Sequence, residues 1–97
     1  MATYISLSSF TDQGIKTIKD SPKRAEAVKA AAKKYGCEMT QLYWTLGQYD
    51  LVAIVEASDD ISATAFALAV GAQGNVRSQT LRAFSGKEIG EIVGKLG

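Results

Sequence analysis

The side chains best suited to contact a small molecule fall in two stretches, QLYWTLGQYD at residues 41–50 and NVRSQTLRAF at residues 75–84. Together they offer amide, phenol, indole, carboxylate and guanidinium groups. The candidate ligand-binding residues are Gln41, Tyr43, Trp44, Tyr49, Asp50, Arg77 and Arg82. Because small-molecule sites combine apolar walls with a few polar groups, we expect a small pocket, between sheet and helices or between two sheets. Gln41, Tyr43, Asp50 and an arginine would supply its polar contacts.

The sequence contains no histidine and a single cysteine. Histidine is the residue most used as a general base near neutral pH and as a metal or haem ligand. Its absence excludes Ser-His-Asp and Cys-His catalysis, His-ligated zinc and His-ligated haem. No nucleotide-binding loop is recognisable either, so we expect no cofactor and no metal. We interpret Cys37 as a small buried thiol.

Length and composition describe one ordinary soluble domain. The chain has 97 residues, of which 46% are hydrophobic and 22% charged, with a net charge of +1, so we expect a single domain over residues 1–97. The near balance of charge argues against nucleic acid or an anionic membrane as a partner. The N-terminus lacks the basic and apolar regions of a signal peptide. We therefore expect a cytoplasmic protein.

The central stretch QLYWTLGQYDLVAIVE is typical of a β-hairpin. Gly47 followed by Gln48 fits a two-residue type II′ turn, which needs a positive φ at its first central residue. This turn predicts a register in which Trp44 pairs with Leu51 and Gln41 pairs with Ile54.

Caps, chain breakers and periodicity predict the other elements. They are a strand at residues 3–9, a helical turn capped by Thr11 and Asp12, a helix from Pro22 to Gly36 with Ser21 as N-cap, a helix at residues 61–72, a strand at residues 75–84, and a closing helix that starts at a Ser85–Glu88 capping box. The order β-α-β-β-α-β plus a helix predicts an α+β, ferredoxin-like sandwich. Its helices would cover one face of a four-stranded antiparallel sheet.

The two faces of the hairpin differ in their side chains. Leu42, Trp44 and Leu46, together with Leu51, Ala53 and Val55, should form the face covered by helices. The other face mixes Met39, Tyr43, Val52 and Ile54 with polar residues, and such an apolar set is not normally left in water. We therefore expect something to cover this mixed face. For the last strand, the pattern leaves open which side points inward.

Two apolar helix surfaces also need a partner. The helix at residues 61–72 is apolar nearly all round, so we expect it to be buried on more than one side, against the sheet and either a neighbouring subunit or the C-terminal segment. The closing helix carries an apolar stripe that we expect to dock on the body of the protein. The stripe consists of Ile89, Ile92, Val93 and Leu96.

Five segments of the chain resemble the GYD domain family. They are FTDQGIK, DSPKRA, YWTLGQYD, VEASDD and GNVRSQTLRAF, which together span nearly the whole chain. The resemblance implies a dimeric α+β barrel, in which two sheets pack face to face across a twofold axis and cover the mixed face. Alternatively, the closing helix folds over its own sheet. The family has no well-defined activity, and its pattern includes the residues matched by Tyr49 and Asp50, which could equally serve to pack and cap the hairpin end.

Two functions follow from these patterns. The first is a non-catalytic small-ligand-binding or oligomerisation module, whose partners would be itself, as a homodimer or larger even assembly, and a small apolar or aromatic ligand. The second is a cofactor-free oxygenase-like enzyme acting on an aromatic or polycyclic small molecule, an activity implied only by resemblance to other dimeric α+β barrels. In that enzyme Trp44 or Tyr43 would line the pocket, and Asp50 would act as acid or base.

Overall fold

A four-stranded antiparallel sheet forms one layer of the molecule in the computed structural model, which describes residues 1–97. Its strands are β1 (Ala2–Phe10), β2 (Cys37–Trp44), β3 (Leu51–Ala57) and β4 (Val76–Ala83). They lie in the order β2-β3-β1-β4. With the crossover helices between β1 and β2 and between β3 and β4, this is the ferredoxin-like α+β arrangement that the element order predicts.

Four helices accompany the sheet, and local capping chemistry sets most of their ends. They are α1 (Asp12–Lys16), α2 (Ser21–Ala32), α3 (Asp60–Ala72) and α4 (Gly86–Gly94), with short 3₁₀ turns at Ile18–Asp20 and Lys33–Tyr35. Thr11 and Asp59 cap α1 and α3 by accepting hydrogen bonds from the N–H groups of Gly14 and Ser62. Gly36 ends the second 3₁₀ turn in the left-handed region, at φ 70°. No helix has the length and apolar character needed to cross a membrane.

The hairpin between β2 and β3 has the predicted register. Trp44 pairs with Leu51, and the pairing continues to Gln41 with Ile54. Gly47 has a positive φ of 128°, as predicted. The prediction of a tight two-residue turn is wrong. The strands end at Trp44 and Leu51, and the last backbone hydrogen bond of the hairpin joins the Thr45 N–H to the Asp50 carbonyl at 2.8 Å.

Two hydrogen bonds hold the wider loop between β2 and β3. The Thr45 hydroxyl donates to the Tyr49 carbonyl at 2.6 Å, and the Asp50 N–H donates to the Ser8 carbonyl of β1 at 2.8 Å. These bonds take the place of a close pair between Leu46 and Tyr49. Leu46 is therefore fully exposed instead of joining the core side.

A β-bulge in β2 corrects the predicted position of Met39. The register runs from Met39 opposite Val55 to Gln41 opposite Ile54, so Thr40 is an extra residue. Such a bulge reverses the alternation of side chains along the strand. Met39 therefore faces the helices and is 7% exposed, not on the mixed face where uninterrupted alternation places it.

The hydrophobic core lies between α2, α3 and one face of the sheet. Its buried residues are Tyr4, Ala32, Cys37, Met39, Ala53, Val55, Ala57, Ala63 and Phe66. Cys37 is the predicted buried thiol, and burial raises its pKa. Ser21 is the first residue of α2 rather than its N-cap, and its hydroxyl accepts a 3.0 Å hydrogen bond from the Trp44 indole N–H.

The closing helix α4 does not dock on the body of its own chain. Its side chains Ile89 and Ile92 are 48% and 39% exposed, and the chain has a radius of gyration of 14.6 Å. A compact domain of this length has about 12.5 Å. The Ser85–Glu88 capping box forms as predicted, and Arg82 pairs with Glu88 at 3.4 Å. Because of these contacts α4 begins just beyond β4. The apolar stripe of α4 is left uncovered.

Helix α3 is also covered on one side only. Ala63 and Phe66 are buried against the sheet, whereas Ile61 and Leu68 are largely exposed. The expectation that the C-terminal segment covers its other side within one chain is therefore wrong, because α4 lies away from it.

Candidate functional site

Strand β1 presents its aliphatic residues Ile5 and Leu7 away from the helices. Tyr4 and Ser8 are buried on the helix-covered side, and Ser6 lies between them. Ile5 and Leu7 alternate with these residues and so point to the opposite side of the sheet. The usual arrangement puts apolar residues on the covered face and polar ones in water. In the middle of β1, from Ile5 to Ser8, this polarity is reversed, whereas Tyr4 and Phe10 nearer its ends lie on the helix side.

Strand β4 shows the same reversal, which settles the side that the sequence pattern left open. Ser78 and Thr80 lie on the helix side, opposite Ser8 and Ser6 of β1. Leu81 lies on the other side, opposite Ile5. In the middle of β4 hydroxyls therefore face the helices and Leu81 faces away, while Val76 at the start of the strand lies on the helix side.

We call the sheet surface opposite the helices the open face, and its apolar centre the open-face patch. The patch consists of Ile5, Leu7, Tyr43, Val52, Ile54 and Leu81. It is continuous across all four strands, since Ile5 lies between Ile54 and Leu81 and Val52 lies between Leu7 and Tyr43. Tyr43 is 58% exposed and Leu81 is 40% exposed. A continuous apolar surface of this kind marks an interaction site.

Hydrogen-bonded polar residues border the patch at both ends. The Thr3 hydroxyl donates to the Glu56 carboxylate at 2.8 Å at one end. At the other end the Tyr49 hydroxyl donates to the Gln79 side-chain oxygen at 3.0 Å. An apolar centre with a polar rim is the usual anatomy of a protein interface.

The predicted ligand-binding residues divide between three places, and four of them belong to the open face. Gln41 and Tyr43 are neighbours on it, with the Tyr43 hydroxyl 3.5 Å from the Gln41 side-chain oxygen. Arg77 lies on the same face of β4, opposite Ser9, and Tyr49 reaches this face through Gln79. The structure thus brings these four to one surface, although not to one pocket.

Trp44 and Asp50 lie elsewhere and make structural contacts. Trp44 is on the helix side of β2, where its indole binds Ser21. The Asp50 carboxylate accepts a 2.9 Å hydrogen bond from the Phe10 N–H at the end of β1. Neither of them, nor Tyr43, lines the space between sheet and helices. The enzyme hypothesis requires Asp50 and either Trp44 or Tyr43 to line one pocket, and these residues do not do so within the chain.

Arg82, the seventh candidate, belongs to a cluster on the helix side that the sequence analysis missed. Its guanidinium lies 5.7 Å from the ring centroid of Tyr4 and 4.5 Å from that of Phe84. The Tyr4 hydroxyl donates to the Asp60 carboxylate, and this bond, with burial, raises the pKa of Tyr4 to about 12. The phenol is therefore protonated at neutral pH and acts as a hydrogen-bond donor, not as a base.

A cleft separates the helix layer from the β1–β4 half of the sheet, and we call it the inner cleft. Its volume is about 100 Å³. Hydroxyl groups of Ser6, Ser8, Ser78 and Thr80 line the part of its sheet side formed by β1 and β4. Mainly apolar residues of β2, β3 and the helices line the rest. The sequence analysis overlooked these hydroxyls, although their alternation with Ile5, Leu7 and Leu81 was a visible signal.

A family model described as the GYD domain matches residues 4–93. The chain belongs to the GYD domain family. The match covers most of β1 and all of β2, β3, α3 and β4, so it includes both faces of the sheet in this GYD domain.

One relative of this GYD domain is known by what it binds. It is a protein of Thermus thermophilus named glutamine synthetase and cystathionine beta-lyase binding protein. The two sequences are 34% identical over 84 residues, which is 86% of this chain and 88% of the relative.

Two solved structures resemble the GYD domain in fold. TTHA0845 from Thermus thermophilus superposes with a TM-score of 0.58 at 24% identity, over 88% of this chain and 95% of that one. FFRP-DM1 superposes with a TM-score of 0.64 at 19% identity, over 87% of this chain and all of that one. At these identities the likeness concerns the fold alone.

Proposed function

We propose that this protein is a non-catalytic binding module that assembles through its open-face patch, with residues 1–97 acting as one unit. A second copy would cover the patch with its own, giving the face-to-face dimer of an α+β barrel. The observation that carries this proposal is the reversed polarity of β1, which turns Ile5 and Leu7 away from the helices. No other part of the chain lies over them, because α4 leaves the sheet. Gln41, Tyr43, Tyr49 and Arg77 would then contribute to the interface.

The energetics support such an assembly and make it sensitive to single changes. Full burial of a Val, Leu or Ile side chain is worth roughly 1.5 to 3 kcal/mol, and strand neighbours already shield part of each patch residue. A twofold axis counts each of the six residues twice, so at about 1 kcal/mol for each partly shielded side chain, below the full-burial value, the patch contributes roughly 12 kcal/mol in all. Association itself costs about 4 to 15 kcal/mol. With so small a margin, one charge in the patch should dissociate the dimer.

Gel filtration with light scattering tests this assembly by comparing two aspartate variants. Ile54→Asp puts a negative charge at the centre of the patch. A dimer would bury two such charges, one from each copy, with no positive group to pair with them. Ala30→Asp puts the same charge on the exposed surface of α2. We expect Ile54→Asp to be a monomer or an aggregate and Ala30→Asp to have the mass of the unmodified protein. Equal masses for all three proteins would refute assembly through this face.

We further propose that the module binds other proteins, as the name of its Thermus relative suggests for that protein. If a second copy occupies the open face, the uncovered stripe of α4 is the apolar surface left for such a partner. An amphipathic helix can lie with its apolar side in a groove of another protein. The first partners to test are glutamine synthetase and cystathionine β-lyase from the organism that encodes this chain.

Interferometry with each purified enzyme tests this part of the proposal. We expect Ile92→Asp to weaken binding by about tenfold or more, which corresponds to the loss of one buried anchor residue. Glu91→Ala, on the same helix but outside the stripe, should bind as the unmodified protein does. If neither enzyme binds, or if Ile92→Asp binds with unchanged affinity, α4 is not the contact surface for these partners.

A further inference from the structure

We propose that the inner cleft binds one small, uncharged molecule with an apolar body and a single hydroxyl or carbonyl group. Phenol is the simplest molecule of this class. The inference goes beyond assembly through the open face and does not depend on it, because the cleft lies on the other side of the sheet.

The first argument is that the core leaves room on this side. Protein interiors are normally packed about as densely as organic crystals, yet no large side chain of this chain is fully buried. The helices present small residues to the cleft, among them Ala25, Ala63 and Ala67. The volume of about 100 Å³ is of the same order as an engineered cavity of about 150 Å³ that binds benzene. One ring of this size is therefore the right scale of ligand.

The second argument is the chemistry of the sheet side. Ser8 is only 8% exposed, and its hydroxyl lies 2.8 Å from that of Ser78 and 3.4 Å from that of Ser6. Thr80 completes a block of four hydroxyls as the cross-strand neighbour of Ser6. Ser8 is the buried member of the block, at a position where a core strand commonly carries Val or Ile, and Ser78 and Thr80 extend the block to the exposed edge. A hydroxyl can both donate and accept, so the block can bind an alcohol, a phenol or a carbonyl.

The third argument is that the cleft offers no free charge. None of its lining residues is acidic, and Arg24 is the one basic residue among them. The Arg24 guanidinium already donates to the Thr17 carbonyl and hydroxyl, each at 2.8 Å, and to the Gly14 carbonyl at 3.1 Å. An ammonium ligand would therefore lose its hydration without gaining an ion pair, and a carboxylate would have to displace these acceptors before it could pair with Arg24. This selects an uncharged molecule.

The entrance lies along β4, which is an edge strand of the sheet. Ser78 and Thr80 are exposed there, whereas Ser8 is buried deeper. A ligand entering from this edge would place its ring between Phe66 and Val55, which line the apolar part. Its polar atom would then reach the hydroxyl block from the side.

Phenol, benzene and benzoate are suitable probes, each titrated into the intact protein and followed by the shifts of backbone amide signals in two-dimensional NMR. One added hydrogen bond changes affinity about three- to tenfold. We therefore expect phenol to bind about three- to tenfold more tightly than benzene, and benzoate to bind more weakly than both. The shifted signals should belong to the elements that line the cleft, chiefly β1, β3, β4, α2 and α3. Shifts confined to other elements, or equal affinities for phenol and benzene, would overturn the proposal.

Two variants separate the hydroxyl contacts from the space. The double variant Ser8→Ala and Ser78→Ala should lose the preference for phenol over benzene but still bind benzene. Ala25→Leu should fill the space and weaken both probes at least tenfold. If the double variant does not fold, Ser78→Ala alone, at the exposed entrance, should reduce the preference. Retention of the full preference in Ser78→Ala and in the double variant would contradict the role of the hydroxyls.

The open-face variant Ile54→Asp keeps this test separate from that of the proposed assembly. It should bind phenol as tightly as the unmodified protein does, even as a monomer, because Ile54 points away from the cleft. A loss of phenol binding in a folded Ile54→Asp monomer would contradict the independence of the two sites.

Discussion

The two faces of the sheet make opposite use of apolar and polar side chains. On β3 the covered face carries Leu51, Ala53 and Val55, as expected for a core, but on β1 the larger aliphatic residues Ile5 and Leu7 lie on the open face. Serine and threonine occupy the matching covered positions of β1 and β4. Alternation along a strand therefore shows that its two sides differ, but not which side the monomer covers. In this chain the helices cover one side, and we propose that a second copy covers the other.

The sharpest contrast between the faces comes from aspartate at two nearby positions of β3. Val55 is 5% exposed in the core. Val55→Asp loses the stabilisation from burying the valine side chain, about 1.5 to 3 kcal/mol. It also destabilises the fold by several kcal/mol more because the new charge is buried without a partner. A domain of this size has about 5 to 15 kcal/mol of stability. We expect Val55→Asp to be unfolded by circular dichroism. Val52→Asp, on the open face, should retain its secondary structure and change only its assembly, and equal loss of structure in both variants would contradict the distinction.

A close backbone approach helps to hold the helix layer at one end of the covered face. A Cβ added to Gly14 of α1 would lie 2.0 Å from the Asn75 carbonyl oxygen, which also accepts a hydrogen bond from the Thr11 N–H. Because backbone atoms cannot easily move aside, Gly14→Ala should destabilise the fold by about 2 to 3 kcal/mol. Gly90→Ala has open space in α4 and should gain up to about 1 kcal/mol in helix propensity. Urea denaturation measures the effect of Gly14→Ala, and amide proton exchange in α4 measures that of Gly90→Ala. An unchanged midpoint for Gly14→Ala would show that this contact does not stabilise the fold.

Alkaline titration tests the Tyr4–Asp60 contact of the covered face. The pKa of Tyr4 is raised from 10.0 to about 12, so folding favours the protonated phenol. Its contribution to stability is therefore present in full below pH 10 and is lost as the pH rises towards about 12. We expect the urea midpoint of the unmodified protein to fall over this interval. Tyr4→Phe should be less stable at neutral pH and should lack this component of the fall, and an identical alkaline profile would show that the contact contributes nothing.

The smallest effect should come from α4, which belongs to neither face in the monomer. Ser85→Ala removes the side-chain bond to the Glu88 N–H and should cost about 1 kcal/mol of local helix stability. Since α4 does not pack on the body of the chain, exchange of its amide protons should quicken while the unfolding midpoint of the sheet stays the same. A lower midpoint for the whole protein would indicate that α4 packs more tightly than the structure shows.

Much of the fold could be predicted because its signals are local. Gly47 and the flanking alternation predicted the hairpin register from Gln41 to Trp44, and Ser85 with Glu88 predicted the start of α4. The bulge at Thr40 carries no such signal, since its residue type is ordinary for a strand, and it moved Met39 into the core. The stripe of α4 indicated that something covers this helix but not which chain supplies it.

The candidate site was harder to predict than the fold. Tyr43 and Trp44 are adjacent in a strand, so their side chains point to opposite faces and could not share a pocket within one sheet. Asp50 was attractive as an acid or base, but the Phe10 N–H needs an acceptor at that place. A pocket between sheet and helices was one of the expected alternatives, but its hydroxyl lining was not predicted, because serine and threonine are usually taken as the solvent side of a strand.

The central claim is that the open face is covered by a second copy of the chain, and the molar mass in solution tests it most directly. Sedimentation equilibrium of the unmodified protein over a wide range of concentrations needs no variant and no ligand. We expect a mass of at least twice the 10.3 kDa of one chain, with dissociation only at the lowest concentrations. A constant mass of 10.3 kDa at every concentration would contradict it.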